Sequence, residues 1–230
     1  HTKKKEKFTF FCPQRIGIPK GTDILWKALQ FCKSDFQILQ VDWRDTGTDE
    51  ENRTSLRLRD NLPSKVKLIP MIKRKDIPSY YHSCDAVIGN LRIGSFEYVE
   101  LEAIMCKKPV ISFNDKKIKI FLDDKEVESP FIPDTNNPKD IAQVIDKFVV
   151  SNQFRQNIFK KEYDFVQNIS DPKKAGKWWD SFFEKMIKEN PSINRKSSRI
   201  TTKIRMLSFL ISNRLYFRKM KKITRGMHGM

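Results

Sequence analysis

Apolar residues in the first half of the chain fall in short runs. Phe8, Phe10, Phe11 and Cys12 form the first, ended by Pro13, and read as a buried strand. Residues 36–41, 66–69, 85–89 and 109–113 repeat the pattern and predict four more strands. Between them the apolar spacing becomes helical. Ile24, Leu25, Ala28, Leu29 and Cys32 predict a helix with Thr22 as its N-cap. Residues 95–107 predict another, with Val99, Leu101, Ile104 and Met105 mostly inward. A short helix is expected within the polar stretch 45–61, and one over 76–81 with Pro78 in its first turn. Ile141, Val144, Ile145, Phe148 and Val149 mark a later helix. Strands this apolar, alternating with helices, predict an α/β, Rossmann-like parallel sheet with helices on both faces.

The pattern changes towards the C-terminus. Residues 175–187 predict an aromatic-rich helix (Trp178, Trp179, Phe182, Phe183, Met186, Ile187), read mainly as core packing, with any exposed member marking a docking surface. Residues 200–223 carry Ile200, Ile204, Leu207, Ile211 and Leu215 at helical spacing with basic residues between them. Pro191 and the Ser197-Ser198 pair read as a linker. The expected organisation is a domain over 1–189 followed by a basic amphipathic tail over 190–230.

Charge separates these parts further. The 230 residues hold 45 Lys+Arg and 28 Asp+Glu, a net +17. Residues 191–230 contribute eleven basic residues and no acidic one, so residues 1–190, with 34 basic and 28 acidic, carry only +6. A basic amphipathic tail fits an anionic membrane surface through residues 195–225, or a partner. Nucleic acid, or plain solvation of the tail, are the other readings; no nucleic-acid motif accompanies the charge. No apolar run reaches the ~18 residues of a membrane span. His1, His82 and His228 are too scattered for a metal site or a histidine triad. Cys12, Cys32, Cys84 and Cys106 lack metal or redox spacing and read as reduced core residues of a cytoplasmic protein.

In a parallel α/β sheet, ligands sit beyond the carboxyl ends of the strands. Two loops there carry chemistry. The first, residues 13–21, offers Arg15 and Lys20 ahead of a helix N-terminus: a diphosphate clamp, or two solvated surface cations. The second, residues 89–95, has two glycines that let backbone approach a ligand, then Glu97 and Glu100, read as complementing the helix dipole. Glu102 lies between Leu101 and Ala103, so its carboxylate needs a partner.

The order Arg15…Lys20-Gly21, Ser83-Cys84-Asp85-Ala86-Val87, Leu101-Glu102-Ala103-Ile104-Met105, Lys108-Pro109-Val110-Ile111 resembles the C-terminal, nucleotide-sugar-binding half of GT-B fold retaining glycosyltransferases of the group 1, or family 4, type. The likeness covers roughly residues 8–185. It implies catalytic roles for Arg15 and Lys20, which would hold the donor diphosphate and stabilise the leaving nucleoside diphosphate. It implies that Glu102 holds the ribose hydroxyls. The other donor-binding positions would be Gly17, Gly21, Ile72, Gly94, Ser95, Tyr98 and Val99. No metal or other cofactor is expected, since cations and helix amides can stabilise the departing charge.

One departure stands out. The family spaces two glutamates by seven residues, and eight positions before Glu102 stands Gly94. The missing glutamate is the one the family turns towards the donor sugar, so the departure bears on sugar contact and catalytic competence. The resemblance also implies an N-terminal acceptor-binding domain. The chain starts at His1, close to the first strand, which leads to the expectation of a fragment or of a partner subunit that supplies that domain.

Overall fold

A computed structural model describes residues 7–44, 47–122, 125–189, 204 and 206–209. Five parallel strands, β1 (Phe8–Cys12), β2 (Phe36–Val41), β3 (Val66–Ile69), β4 (Ala86–Ile88) and β5 (Val110–Ile111), form one sheet in the order β3-β2-β1-β4-β5. The chain runs outward from β1 to β3, then returns to lay β4 on the other side of β1. That reversal opens a crevice between the carboxyl ends of β1 and β4, into which the two candidate loops emerge.

Side chains of one strand alternate between the two faces. Phe10 joins Phe36, Ile38 and Ile88 in a cluster covered by helices α1 (Thr22–Leu29) and α5 (Pro138–Val150), through Leu25, Ile141, Ile145 and Phe148. Its neighbour Phe11 faces the opposite cluster with Val87 and Val110, covered by α3 (Ile77–Ser83), α4 (Tyr98–Met105) and α6 (Asn152–Ile169) through Tyr81, Ala103, Ile104 and Val166. Burying one such aromatic side chain stabilises the fold by about 1.5–3 kcal/mol, so the continuous apolar strands are the dominant driving force for this sheet.

The strands follow the sequence expectation, while several other elements differ from it. The polar stretch holds a full twelve-residue helix, α2 (Asp49–Asp60), begun by a reciprocal cap between Thr48 and Glu51. Thr22 is not the N-cap of α1. Gly21 takes that position in a left-handed conformation (φ 75°), and the Thr22 hydroxyl accepts the Gly17 N–H at 3.0 Å. Helix α6 and an antiparallel hairpin, β6 (Ile120–Leu122) with β7 (Lys125–Val127), had no counterpart in the periodicity reading. Helix α7 (Pro172–Glu189) coincides with the aromatic-rich helix, but none of its side chains is buried, so the core-packing expectation for its aromatic residues fails. Those rings stack along the helix itself, Trp178 on Phe182 and Trp179 on Phe183.

The chain divides into two compact units, 1–175 and 176–230. The expected boundary at 189/190 and nearly all of the basic tail lie outside the described residues. Among the described residues no helix is long and apolar enough to cross a membrane.

Candidate functional site

The loop after β1 runs from Pro13 through one 3-10 turn (Ile18–Lys20) to α1. Its conformation is pinned from inside. The buried Gln40 donates from Nε2 to the Gln14 carbonyl at 2.7 Å, and Ile16 donates its N–H to the Trp43 carbonyl at 2.6 Å. The loop after β4 is tied to it. Arg92 holds both oxygens of Asp23 from Nη2, at 2.7 and 2.8 Å, and donates from Nε to the Ile18 carbonyl. Using two guanidinium nitrogens on two different partners, Asp23 and Ile18, fixes the orientation of Arg92 as well as its distance.

Asn90 is the hub of the second loop. It is fully buried, accepts the Arg92 and Ile93 amides on Oδ1, and donates from Nδ2 to Glu97 at 2.9 Å. Its own N–H goes to Glu100 at 2.9 Å. Glu100 therefore does more than complement a helix dipole. It is fully buried and also accepts the Ser112 hydroxyl at 2.8 Å and the Glu97 amide at 2.8 Å. A buried carboxylate needs such a donor set to offset its lost hydration.

The glycines of this loop serve the same internal packing. A Cβ on Gly89 would stand 2.1 Å from Glu100 Oε1. Gly94 has φ 81°, and a Cβ there would stand 2.6 Å from the Asp115 Cβ. At the position where the family carries glutamate, this backbone strains and crowds any side chain.

Between the two loops opens a cleft of about 470 Å³. Five of the predicted residues line it: Arg15, Lys20, Tyr98, Val99 and Glu102. Gly17, Gly21, Ile72, Gly94 and Ser95 are not among its lining residues. Gly17 has its amide engaged by Thr22, and Ile72 packs against the cluster around Phe11 and Tyr81. Gln14, Trp43, Arg74, Ile77 and Glu97 complete much of the wall. A signal for Gln14 existed, since it directly precedes Arg15 in a loop leaving an apolar strand. Trp43 offered none, because it joins the site only through the sheet's geometry.

Charge in the cleft is organised. Lys20 Nζ holds both oxygens of Glu97, at 2.6 and 2.8 Å. The Arg15 guanidinium stands 5.7 Å from the centre of the Trp43 ring, a cation–π distance. Glu102 accepts the Tyr81 hydroxyl at 3.2 Å and has Arg74 at 3.9 Å. Burial and the Glu102 charge push the Tyr81 phenol up, so it remains a donor and holds that carboxylate in place. Two cations, Arg15 and Lys20, therefore line the cleft from the first loop, and the Glu102 carboxylate stands on α4. Among the described residues no group of three His, Cys, Asp or Glu could hold a metal ion. A larger hollow of about 740 Å³ lies against α5, bordered by Lys116, Asp134, Lys147 and Lys161. It contains none of the predicted residues and lies outside the β1–β4 crevice, so the smaller cleft is the candidate site.

Comparison with known proteins agrees with this fold. Anabaena HepE, solved in complex with UDP-glucose, superposes with a TM-score of 0.58 at 20% identity, over 78% of this chain and 49% of that one. Sucrose-phosphate synthase from Thermosynechococcus elongatus gives 0.57 at 17% identity, over 80% and 46%. The C-terminal domain of a glycosyl transferase group 1 family protein from Francisella tularensis gives 0.52 at 20%, over 70% and 84%. The chain thus spans about half the length of the first two and most of the third. No curated protein matches it in sequence. The family model for glycosyl transferases group 1 matches residues 1–165, and the chain belongs to that family.

Proposed function

We propose that this chain is the donor-binding half of a retaining glycosyltransferase, taking a nucleotide-diphosphate sugar and passing the sugar to an acceptor held by an N-terminal domain or a partner subunit. One observation carries the reading: Arg15 and Lys20 of the first loop and Glu102 of α4, from two separate stretches of sequence, line one cleft at the switch point of a parallel sheet. HepE supports the ligand class, since its structure holds UDP-glucose.

The chemistry follows from the charges. Breaking the bond between sugar and diphosphate leaves negative charge on the departing oxygen. Arg15 and Lys20 lower the barrier by meeting that charge with fixed cations, without a metal. Glu102, held by Tyr81, accepts hydrogen bonds from ribose hydroxyls. The basic tail keeps the protein at the inner face of an anionic membrane, in the cytoplasm, where a lipid-linked acceptor would be presented.

Calorimetry with UDP, GDP and ADP tests the reading. One of them binds the unaltered chain, and joint Arg15→Ala and Lys20→Ala weakens it at least tenfold. Absence of binding by all three, or binding untouched by the double change, overturns it.

The backbone at Gly94 favours a second reading. With glycine in place of an acidic side chain there, on a backbone that strains any replacement, the chain would bind a nucleotide sugar without transferring it. Release of free sugar from a nucleotide-diphosphate sugar by the chain decides for the enzyme.

A further inference from the structure

We propose that Gln14 is a ligand-binding residue of the cleft and donates its side-chain amide to an oxygen of the bound diphosphate. This rests on the nucleotide-diphosphate reading and adds a contact to it. Gln14 lines the cleft although it is only 4% exposed. Its carbonyl already accepts Gln40 Nε2, which holds this stretch of loop in place. Its own Nε2 is buried and has no hydrogen-bond partner among the described residues. A buried donor left unpaired costs about 1–3 kcal/mol, and native proteins keep few of them.

The acceptor does not come from the cleft's own carboxylates. Among the described residues neither Glu97, which accepts Lys20 and Asn90, nor Glu102, which accepts Tyr81, hydrogen-bonds Gln14 Nε2. It therefore comes from what the cleft binds. Gln14 shares its wall with Arg15 and Lys20, the two cations of the first loop. An oxygen placed between these groups is anionic, and a neutral amide adds a directed hydrogen bond there without adding charge. The three side chains then divide the work: the cations supply attraction, and Gln14 fixes the rotation of the phosphoryl group.

An unpaired donor leaves a signature that a structural glutamine does not. In the 230-residue chain, Gln14→Met removes the donor and keeps the side chain's length. Calorimetry with UDP and with inorganic pyrophosphate is expected to show about tenfold weaker binding of both. The ligand-free melting temperature is expected to stay level or rise, since no internal bond is lost. Gln14→Glu, of the same shape, is expected to abolish pyrophosphate binding by placing an anion beside an anion. Undiminished binding by Gln14→Met, while the unaltered chain binds UDP, overturns this assignment and leaves the donor-binding reading standing. A clear fall in ligand-free melting temperature overturns it too, by revealing an internal partner. Weaker UDP binding with unchanged pyrophosphate binding moves the contact to the nucleoside and rejects the diphosphate. If the unaltered chain binds none of UDP, GDP, ADP or pyrophosphate, both readings fall together.

Discussion

Lys20 meets a carboxylate before it meets any ligand. Glu97 holds its ammonium through two short contacts, with both side chains partly exposed. A partly exposed ion pair contributes about 1 kcal/mol at most, which a diphosphate carrying two or more charges can outcompete. Glu97→Gln is therefore expected to strengthen pyrophosphate binding roughly threefold to fivefold in calorimetry. Weaker binding would mean that Glu97 aims Lys20 rather than competing for it. Glu162 is the opposite case. It is fully buried on α6 and accepts only the Val110 amide, at 3.1 Å; its other oxygen is unpartnered among the described residues. Burial pushes its carboxyl well above the usual range, the Val110 amide opposes this, and the Glu100 charge adds to it. The raised folded value means that the native state binds a proton which the unfolded chain releases above about pH 4.3. Glu162 thus costs stability increasingly as pH rises from that value to its folded pKa. Glu162→Gln is expected to stabilise the fold by about 1–3 kcal/mol at pH 7, and by much less at pH 4, in urea melts. A pH-independent difference would refute the proton linkage.

At the scale of elements, Glu100 joins α4 to the loop after β4 and to Ser112 beyond β5. Glutamine there has one acceptor oxygen and presents a donor to donors. Glu100→Gln is expected to destabilise the fold by about 2–4 kcal/mol in urea melts, and to weaken nucleotide binding by shifting Glu97 and Glu102. A variant as stable as the parent would show that the loop packs without this carboxylate. This keystone was hidden in the sequence. Glu100 bonds Asn90 and Ser112 across ten and twelve residues, and Lys20 reaches Glu97 across seventy-seven, distances that no local spacing encodes. The strands were legible because a parallel strand covered on both faces is mostly apolar, as Phe8–Cys12 is apart from Thr9 and Phe36–Val41 apart from Gln37 and Gln40. Helix α6 was not, because only Ile158, Glu162 and Val166 of its eighteen residues are buried, and one of those three is an acid. Arg15 and Lys20 were legible as strand-end cations and Glu102 as a carboxylate in need of a partner; what joined them into one group was the family resemblance, not local spacing. For α7 the stripe of Trp178, Phe182 and Met186 disclosed an apolar face but not what it packs against, and periodicity holds no information on that.

The whole molecule separates its chemistry from its charge. The family match, the sheet and the cleft fall within residues 1–175, while eleven of the chain's cations follow residue 190 without a single acid. Removing residues 191–230 takes the net charge from +17 to +6 and leaves every cleft residue in place. Each Lys or Arg close to an anionic bilayer contributes roughly 1 kcal/mol, so even partial engagement of the tail outweighs the remaining charge of residues 1–190. The full chain is therefore expected to co-sediment with vesicles containing phosphatidylserine, and to release as salt rises and the Debye length falls below about 8 Å. The chain ending at residue 190 is expected to stay in the supernatant while binding UDP with the parent's affinity. Equal sedimentation of both chains would move the membrane contact into residues 1–190. Loss of UDP binding on truncation would show that the tail supports the cleft, and the separation of charge from chemistry would fail. Tight binding of RNA by the full chain in preference to the vesicles, lost on the same truncation, would assign the eleven cations to nucleic-acid phosphates instead.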